Sequence, residues 1–174
     1  TKQEKKEITA TISKTNNGRV PLVLGIGGNN TAQVIEEIKA TDLSNIDAIL
    51  SVSPYYSKPT QEGIYQHFKT LAQETNAKIV LYNVPGRTNS YMTPEVVIEL
   101  AKIPNMIGLK QAVDFQPGGE HRDDTISIIQ GTQSEDFAVL SGEDDSLAEM
   151  LKLGGAGIIS ATANIPEAAS IFKA

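Results

Sequence analysis

Lys78-Ile79-Val80-Leu81-Tyr82 and Met106-Ile107-Gly108-Leu109-Lys110 are two short aliphatic runs with a segment of helical character between them. In that segment Thr93-Pro94-Glu95 places a capping residue before a proline at the first helical position. Val96, Val97, Leu100 and Ala101 then recur at helical spacing. Strand, helix and strand within roughly 30 residues form a βα repeat. Working outward, Val20–Gly25, Ala48–Ser53, Phe137–Ser141 and Ala156–Ser160 read as further strands, and the segment before Asn16-Asn17-Gly18 reads as a helix. Val34, Ile35 and Ile38, and then Tyr65, Phe68, Leu71 and Ala72, mark helices between strands. The fold class is therefore α/β with about six strands, and continuous apolar strands joined by helices predict a parallel sheet covered on both faces. No linker divides residues 1–174, so one domain is expected.

Composition narrows the function. With 174 residues, 40% hydrophobic and 21% charged, the chain can bury one sizeable core. A net charge of −6, with no basic run beyond Lys5-Lys6, argues against a nucleic-acid partner. The absence of cysteine excludes disulfides, a thiol nucleophile and a thiolate zinc site, leaving His67 and His121 as the imidazoles. That composition suits a reducing cytoplasm. The charged start Thr1-Lys2-Gln3-Glu4-Lys5-Lys6-Glu7 is unlike a signal peptide, and no apolar run approaches membrane-spanning length, so a cytoplasmic protein without a membrane partner is expected.

The strand ends carry the chemistry. The runs finish in Gly27-Gly28-Asn29, Tyr55-Tyr56, Tyr82-Asn83, Lys110 and Ser141-Gly142-Glu143. In both open α/β sheets and (β/α)8 barrels the working face lies at the carboxyl ends of the strands, where these groups would converge. Lys110 arrives within Ile107-Gly108-Leu109-Lys110-Gln111-Ala112 without a neighbouring acid in sequence. A desolvated ammonium must pair or lose its proton, and the free amine captures carbonyl compounds as Schiff bases. The plainer alternative is a snorkelling edge lysine. Tyr82-Asn83-Val84-Pro85-Gly86-Arg87-Thr88 brings a phenol and a guanidinium to one rim, against the alternative of a turn with a surface arginine. Pro54-Tyr55-Tyr56-Ser57-Lys58-Pro59 adds two phenols on a loop, where an aromatic packing contact is the alternative. Leu24-Gly25-Ile26-Gly27-Gly28-Asn29-Asn30 lacks the third glycine of a dinucleotide loop and is read as a sharp turn. Glu143-Asp144-Asp145 is read as a helix start rather than a metal site, His67 as a helical residue, and His121 as part of a flexible loop over Asp114–Asp124.

Together these motifs resemble the dihydrodipicolinate synthases (4-hydroxy-tetrahydrodipicolinate synthases) of the pyruvate-dependent class I aldolase superfamily, from about Gly18 to Ile165. Tyr82-Asn83-Val84-Pro85-Gly86-Arg87-Thr88 is similar to the family's Tyr-Asn-Val-Pro-x-Arg-Thr, and the segment around Lys110 to its Schiff-base lysine. The resemblance implies a TIM (β/α)8 barrel and condensation of pyruvate with aspartate semialdehyde in diaminopimelate and lysine biosynthesis, with no metal or organic cofactor. It implies that Lys110 forms the imine, Tyr82 orients pyruvate and passes protons, and Tyr56 reaches across a dimer interface into a neighbouring site. Arg87 would receive the carboxylate of the semialdehyde, Gly142 would lie beside substrate, and the Ile159 carbonyl would lie near the lysine. Asn29 and Tyr55 match positions where lysine binds in feedback-inhibited members. A homodimer or homotetramer is expected.

Several departures accompany the resemblance. The family's first two strands, with a Gly-Thr-Thr-Gly/Ala-Glu loop, and its last helices have no counterpart, so the chain is expected to be part of a barrel, strands 3 to 8. Gln111 stands where glutamate is usual, and Gln33 where lysine-sensitive members often have glutamate. Two alternatives stay open: another pyruvate aldolase, of the 2-keto-3-deoxy sugar acid or N-acetylneuraminate lyase type, or an inactive barrel fragment acting as a binding module.

Overall fold

Six strands form one parallel sheet in the order in which they occur along the chain. The computed structural model describes residues 1–164. The strands are β1 (Val23–Gly25), β2 (Ala48–Val52), β3 (Ile79–Asn83), β4 (Met106–Gln111), β5 (Ala138–Ser141) and β6 (Gly157–Ile158). The helices are α1 (Lys2–Asn16), α2 (Thr31–Lys39), α3 (Gln61–Glu74), the single turn α4 (Pro85–Thr88), α5 (Pro94–Ala101), α6 (Arg122–Gly131) and α7 (Leu147–Lys152). A 3₁₀ turn, Asp144–Ser146, leads into α7.

Sequential parallel order with crossovers of one hand places every connecting helix on the same side of the sheet. Accordingly α2 touches α3, α3 touches α5, and α5 touches α6. This corrects the expectation of a sheet covered on both faces. Ile49, Ser51, Leu81, Leu109, Gln111, Val139 and Ser141 are buried, whereas Leu50, Val52, Tyr82, Lys110 and Leu140 keep partial exposure on the other, concave face. The core fills the layer between sheet and helices, with Phe68, Leu71, Leu100, Phe115 and Ile128 fully buried against Ile49, Ile79, Leu81 and Leu109. Burying such a side chain contributes about 1.5–3 kcal/mol relative to leaving it exposed.

Local chemistry sets the element ends. The Thr60 hydroxyl accepts from Gly63 N at 3.1 Å, and the Asn30 carboxamide from Gln33 N at 3.2 Å, so each satisfies a free amide at a helix start. Pro94 opens α5 as expected, although the Thr93 hydroxyl makes no capping bond. The first strand begins at Val23 rather than Val20, because Pro21 has no N–H and Leu22 N donates to the Asp47 carboxylate at 2.7 Å. The expected flexible loop is instead tied down. Phe115 is fully buried, Arg122 donates to the Phe115 carbonyl at 3.1 Å, and it pairs with the buried Glu149 at 2.5 Å. His121 precedes α6 and stacks on Tyr91 with centroids 4.4 Å apart. Among the described residues no helix is long and apolar enough to cross a membrane.

His67 is a core residue of α3. Its Nδ1 lies 2.8 Å from Thr31 Oγ1, its Nε2 has no partner among the described residues, and burial pulls its pKa from 6.5 down to about 4. The unfolded chain takes up this proton near pH 6.5 and the folded chain only near 4, so stability is full above that window and falls as pH drops through it. The loss reaches about 3 kcal/mol at most. Urea unfolding across pH 7 to 4 is expected to show it, and His67→Gln is expected to flatten the dependence over that interval.

Candidate active site

The sheet register brings Tyr82 and Lys110 together. Tyr82 is paired with Val52 on one side and Lys110 on the other, and Lys110 is paired with Leu140. Laterally paired residues share a face about 4.8 Å apart, so both side chains rise from the concave face at the carboxyl ends of β3 and β4. The Lys110 ammonium lies 4.7 Å from the centre of the Tyr82 ring, within cation–π range. Among the described residues Lys110 forms no salt bridge. Burial lowers its pKa, and the charges of Glu143 and Asp144 oppose that shift. Burial raises the pKa of Tyr82, with Glu143 adding to the rise and Arg87 opposing it. A lysine shifted toward its neutral form therefore faces a phenol that holds its proton.

Gly142 makes room for this lysine. It follows β5 directly, and a Cβ there would stand 2.6 Å from Ala112 Cβ and 3.0 Å from Lys110 Cε. Any side chain at 142 must displace the lysine stem or the strand beside it. Arg87 belongs to α4, directly after β3, and is exposed without a carboxylate partner among the described residues. Ile159 continues β6, its N–H donating to Ser141 O at 2.9 Å.

Other residues singled out from the sequence lie on exposed loops. Asn29 and Tyr55 sit on the neighbouring loops after β1 and β2, both exposed. Tyr56 is 89% exposed among the described residues, with φ at +70°. Of the described aromatic rings, Tyr82 alone lies under Lys110. The turn at Gly27 is demanded by close approach, since a Cβ there would stand 2.9 Å from Val52 N. Glu143-Asp144-Asp145 does open a helical segment, with Asp144 and Asp145 in the 3₁₀ turn. That Glu143 and Asp144 bear on Lys110 was not legible in the sequence, because the strand pairing that joins them is remote along the chain.

The chain is similar in sequence and fold to known proteins. The family model for the dihydrodipicolinate synthetase family matches residues 1–173. A 4-hydroxy-tetrahydrodipicolinate synthase of Flavobacterium psychrophilum is 53% identical over 159 residues, which is 90% of this chain and 52% of that protein. The crystal structure of dihydrodipicolinate synthase from Thermotoga maritima superposes with a TM-score of 0.85 at 34% identity, covering 94% of this chain and 54% of that one. The chloride-inhibited dihydrodipicolinate synthase of Acinetobacter baumannii, complexed with pyruvate, gives a TM-score of 0.86 at 38% identity, covering 96% and 55%. The fold is thus that of a TIM (β/α)8 barrel, of which the described residues hold six strands. The chain belongs to the dihydrodipicolinate synthetase family. It spans about half the length of the relatives it matches.

The balance of charges around Lys110 has a measurable sign. Its acylation by an amine-reactive reagent, followed by peptide mass spectrometry, is expected to titrate below an ordinary lysine. Glu143→Gln removes a charge that favours the ammonium, and is expected to move that midpoint lower still.

Proposed function

We propose that the protein acts in a dihydrodipicolinate synthase, condensing pyruvate with L-aspartate 4-semialdehyde through a lysine Schiff base to give 4-hydroxy-tetrahydrodipicolinate in diaminopimelate and lysine biosynthesis. The observation that carries this function is the Lys110 ammonium standing over Tyr82 without a carboxylate pair among the described residues. Family membership supports the pyruvate chemistry over the other readings of these residues.

In the proposed sequence the neutral Lys110 amine attacks the ketone carbon of pyruvate, forming a carbinolamine. Tyr82 retains its proton and donates it to the departing hydroxyl, so water leaves and an imine forms. Loss of a methyl proton gives the enamine, whose carbon adds to the aldehyde, and the aldehyde oxygen takes up a proton. The imine is the electron sink, so these steps call on no metal or organic cofactor. Arg87, exposed on the same rim, would receive the semialdehyde carboxylate through a charge-assisted fork. Gly142 and the Ile159 carbonyl would line the lysine, while Asn29 and Tyr55 would form a lysine-binding site on the outer loops. The exposure and left-handed backbone of Tyr56 support its insertion into a second subunit, in a cytoplasmic homodimer or homotetramer. β1 to β6 would then be strands 3 to 8 of the complete barrel.

Incubation with pyruvate and reduction with borohydride is expected to leave a mass adduct on Lys110. Adduct formation at another lysine alone, or at none, would sink this function. Arg87→Ala is expected to lower kcat/KM for the semialdehyde by about 10- to 100-fold while leaving the pyruvate adduct intact, as fits the loss of a charged hydrogen bond.

A further inference from the structure

Asn83 ends β3 directly after Tyr82, and Gln111 ends β4 directly after Lys110. Because side chains alternate along a strand, both carboxamides project to the helix side while Tyr82 and Lys110 project to the concave side. Both are fully buried. Asn83 Nδ2 donates to Gln111 Oε1 at 2.9 Å and to the Met92 carbonyl at 3.3 Å, and Asn83 Oδ1 accepts from Met92 N at 3.1 Å. The two bonds to Met92 close the base of the excursion that carries Arg87. The bond to Gln111 joins the strand ends beside the Tyr82 and Lys110 pair, where Ala112 N to Asn83 O at 2.9 Å is the adjoining backbone link.

We propose that Asn83 is a positioning residue whose carboxamide holds Tyr82, Lys110 and Arg87 in fixed relation, and that Gln111 completes this clamp as a neutral amide. This deepens the proposed function and rests on Lys110 being the imine-forming residue. Gln111 meets opposite demands at its two ends. Asn83 offers it a proton, whereas Thr125 Oγ1, 3.4 Å from Gln111 Nε2, has given its own proton to the His121 carbonyl at 2.9 Å. A carboxamide satisfies both neighbours. A carboxylate would accept from Asn83 and would draw the Thr125 hydroxyl proton away from the His121 carbonyl, giving up that bond. Gln61 reinforces the clamp, its amide donating to Tyr91 O at 2.7 Å and its oxygen accepting from Thr93 N at 3.1 Å.

The test compares Asn83→Ala and Gln111→Leu with Asn105→Ala. Asn105 is a matched control at the other end of β4, where its Nδ2 donates to Ala72 O, Thr75 O and Ala77 O at 3.1 to 3.2 Å. The readouts are the rate at which borohydride traps pyruvate on Lys110, its pH profile, and the thermal midpoint. Asn83→Ala is expected to slow trapping about 100-fold, as a displaced reacting group does, and to move the pH profile upward as the lysine becomes better solvated. Gln111→Leu is expected to slow it about tenfold. Asn105→Ala is expected to lower the thermal midpoint while leaving rate and profile unchanged. Equal slowing in all three variants, or unchanged trapping in Asn83→Ala, would overturn the positioning role. If Asn83→Ala does not fold, Gln111→Leu decides on the same rate and pH criteria, since it keeps both bonds between Asn83 and Met92. Absence of any Lys110 adduct in the unaltered protein would overturn the imine function itself, an outcome distinct from failure of the clamp alone.

Discussion

The lateral pairing of β3 with β4 is the constraint on which the rest depends. It sets Tyr82 beside Lys110 in register, and the common face of a parallel sheet turns that register into a contact of ammonium and ring. Everything else at the site is arranged around this pair. β5 contributes Gly142, whose missing side chain leaves a path for the lysine stem, and the turn beyond it brings Glu143 and Asp144 into electrostatic range. The two carboxylates favour the ammonium while desolvation favours the amine, and desolvation is the larger effect. The lysine is thus kept chargeable without being locked in an ion pair.

The two faces of the strands divide the labour. On the concave face β3 and β4 end in Tyr82 and Lys110, and along β2 to β5 the alternate residues turn toward the helices and are buried. In most of the sheet those buried positions are aliphatic and add to the core. At the ends of β3 and β4 they are carboxamides bonded to each other. A buried amide pair is costly unless every donor and acceptor is met, and here the partners extend to Met92 and Thr125. That cost gives geometric definition where apolar packing would leave the strand ends free to adjust.

The helix layer shows how a loop becomes ordered without secondary structure. The glycine-rich stretch after β4 has the composition of a mobile segment, yet Phe115 enters the core and Arg122 reaches the carboxylate of Glu149 on α7. Both anchors depend on partners far along the chain, so local composition gave no indication of them. Thr93 and Pro94 illustrate the opposite case. Proline's fixed φ starts α5 where the sequence says it must, whatever the hydroxyl of Thr93 does.

The alternation of apolar runs and helical spacing sufficed to determine the parallel α/β architecture, because side-chain periodicity and proline chemistry are local properties. The motifs at Tyr82–Thr88 and around Lys110 likewise pointed to the residues of the candidate site, since they lie at strand ends that any such fold gathers on one rim. Only the tertiary structure decided that helices cover one face alone, that Glu143 and Asp144 act on Lys110, and that Asn83 and Gln111 are bonded behind the site. These depend on pairing between strands about 30 residues apart, and that pairing is set by packing the whole helix layer rather than by any short stretch of chain.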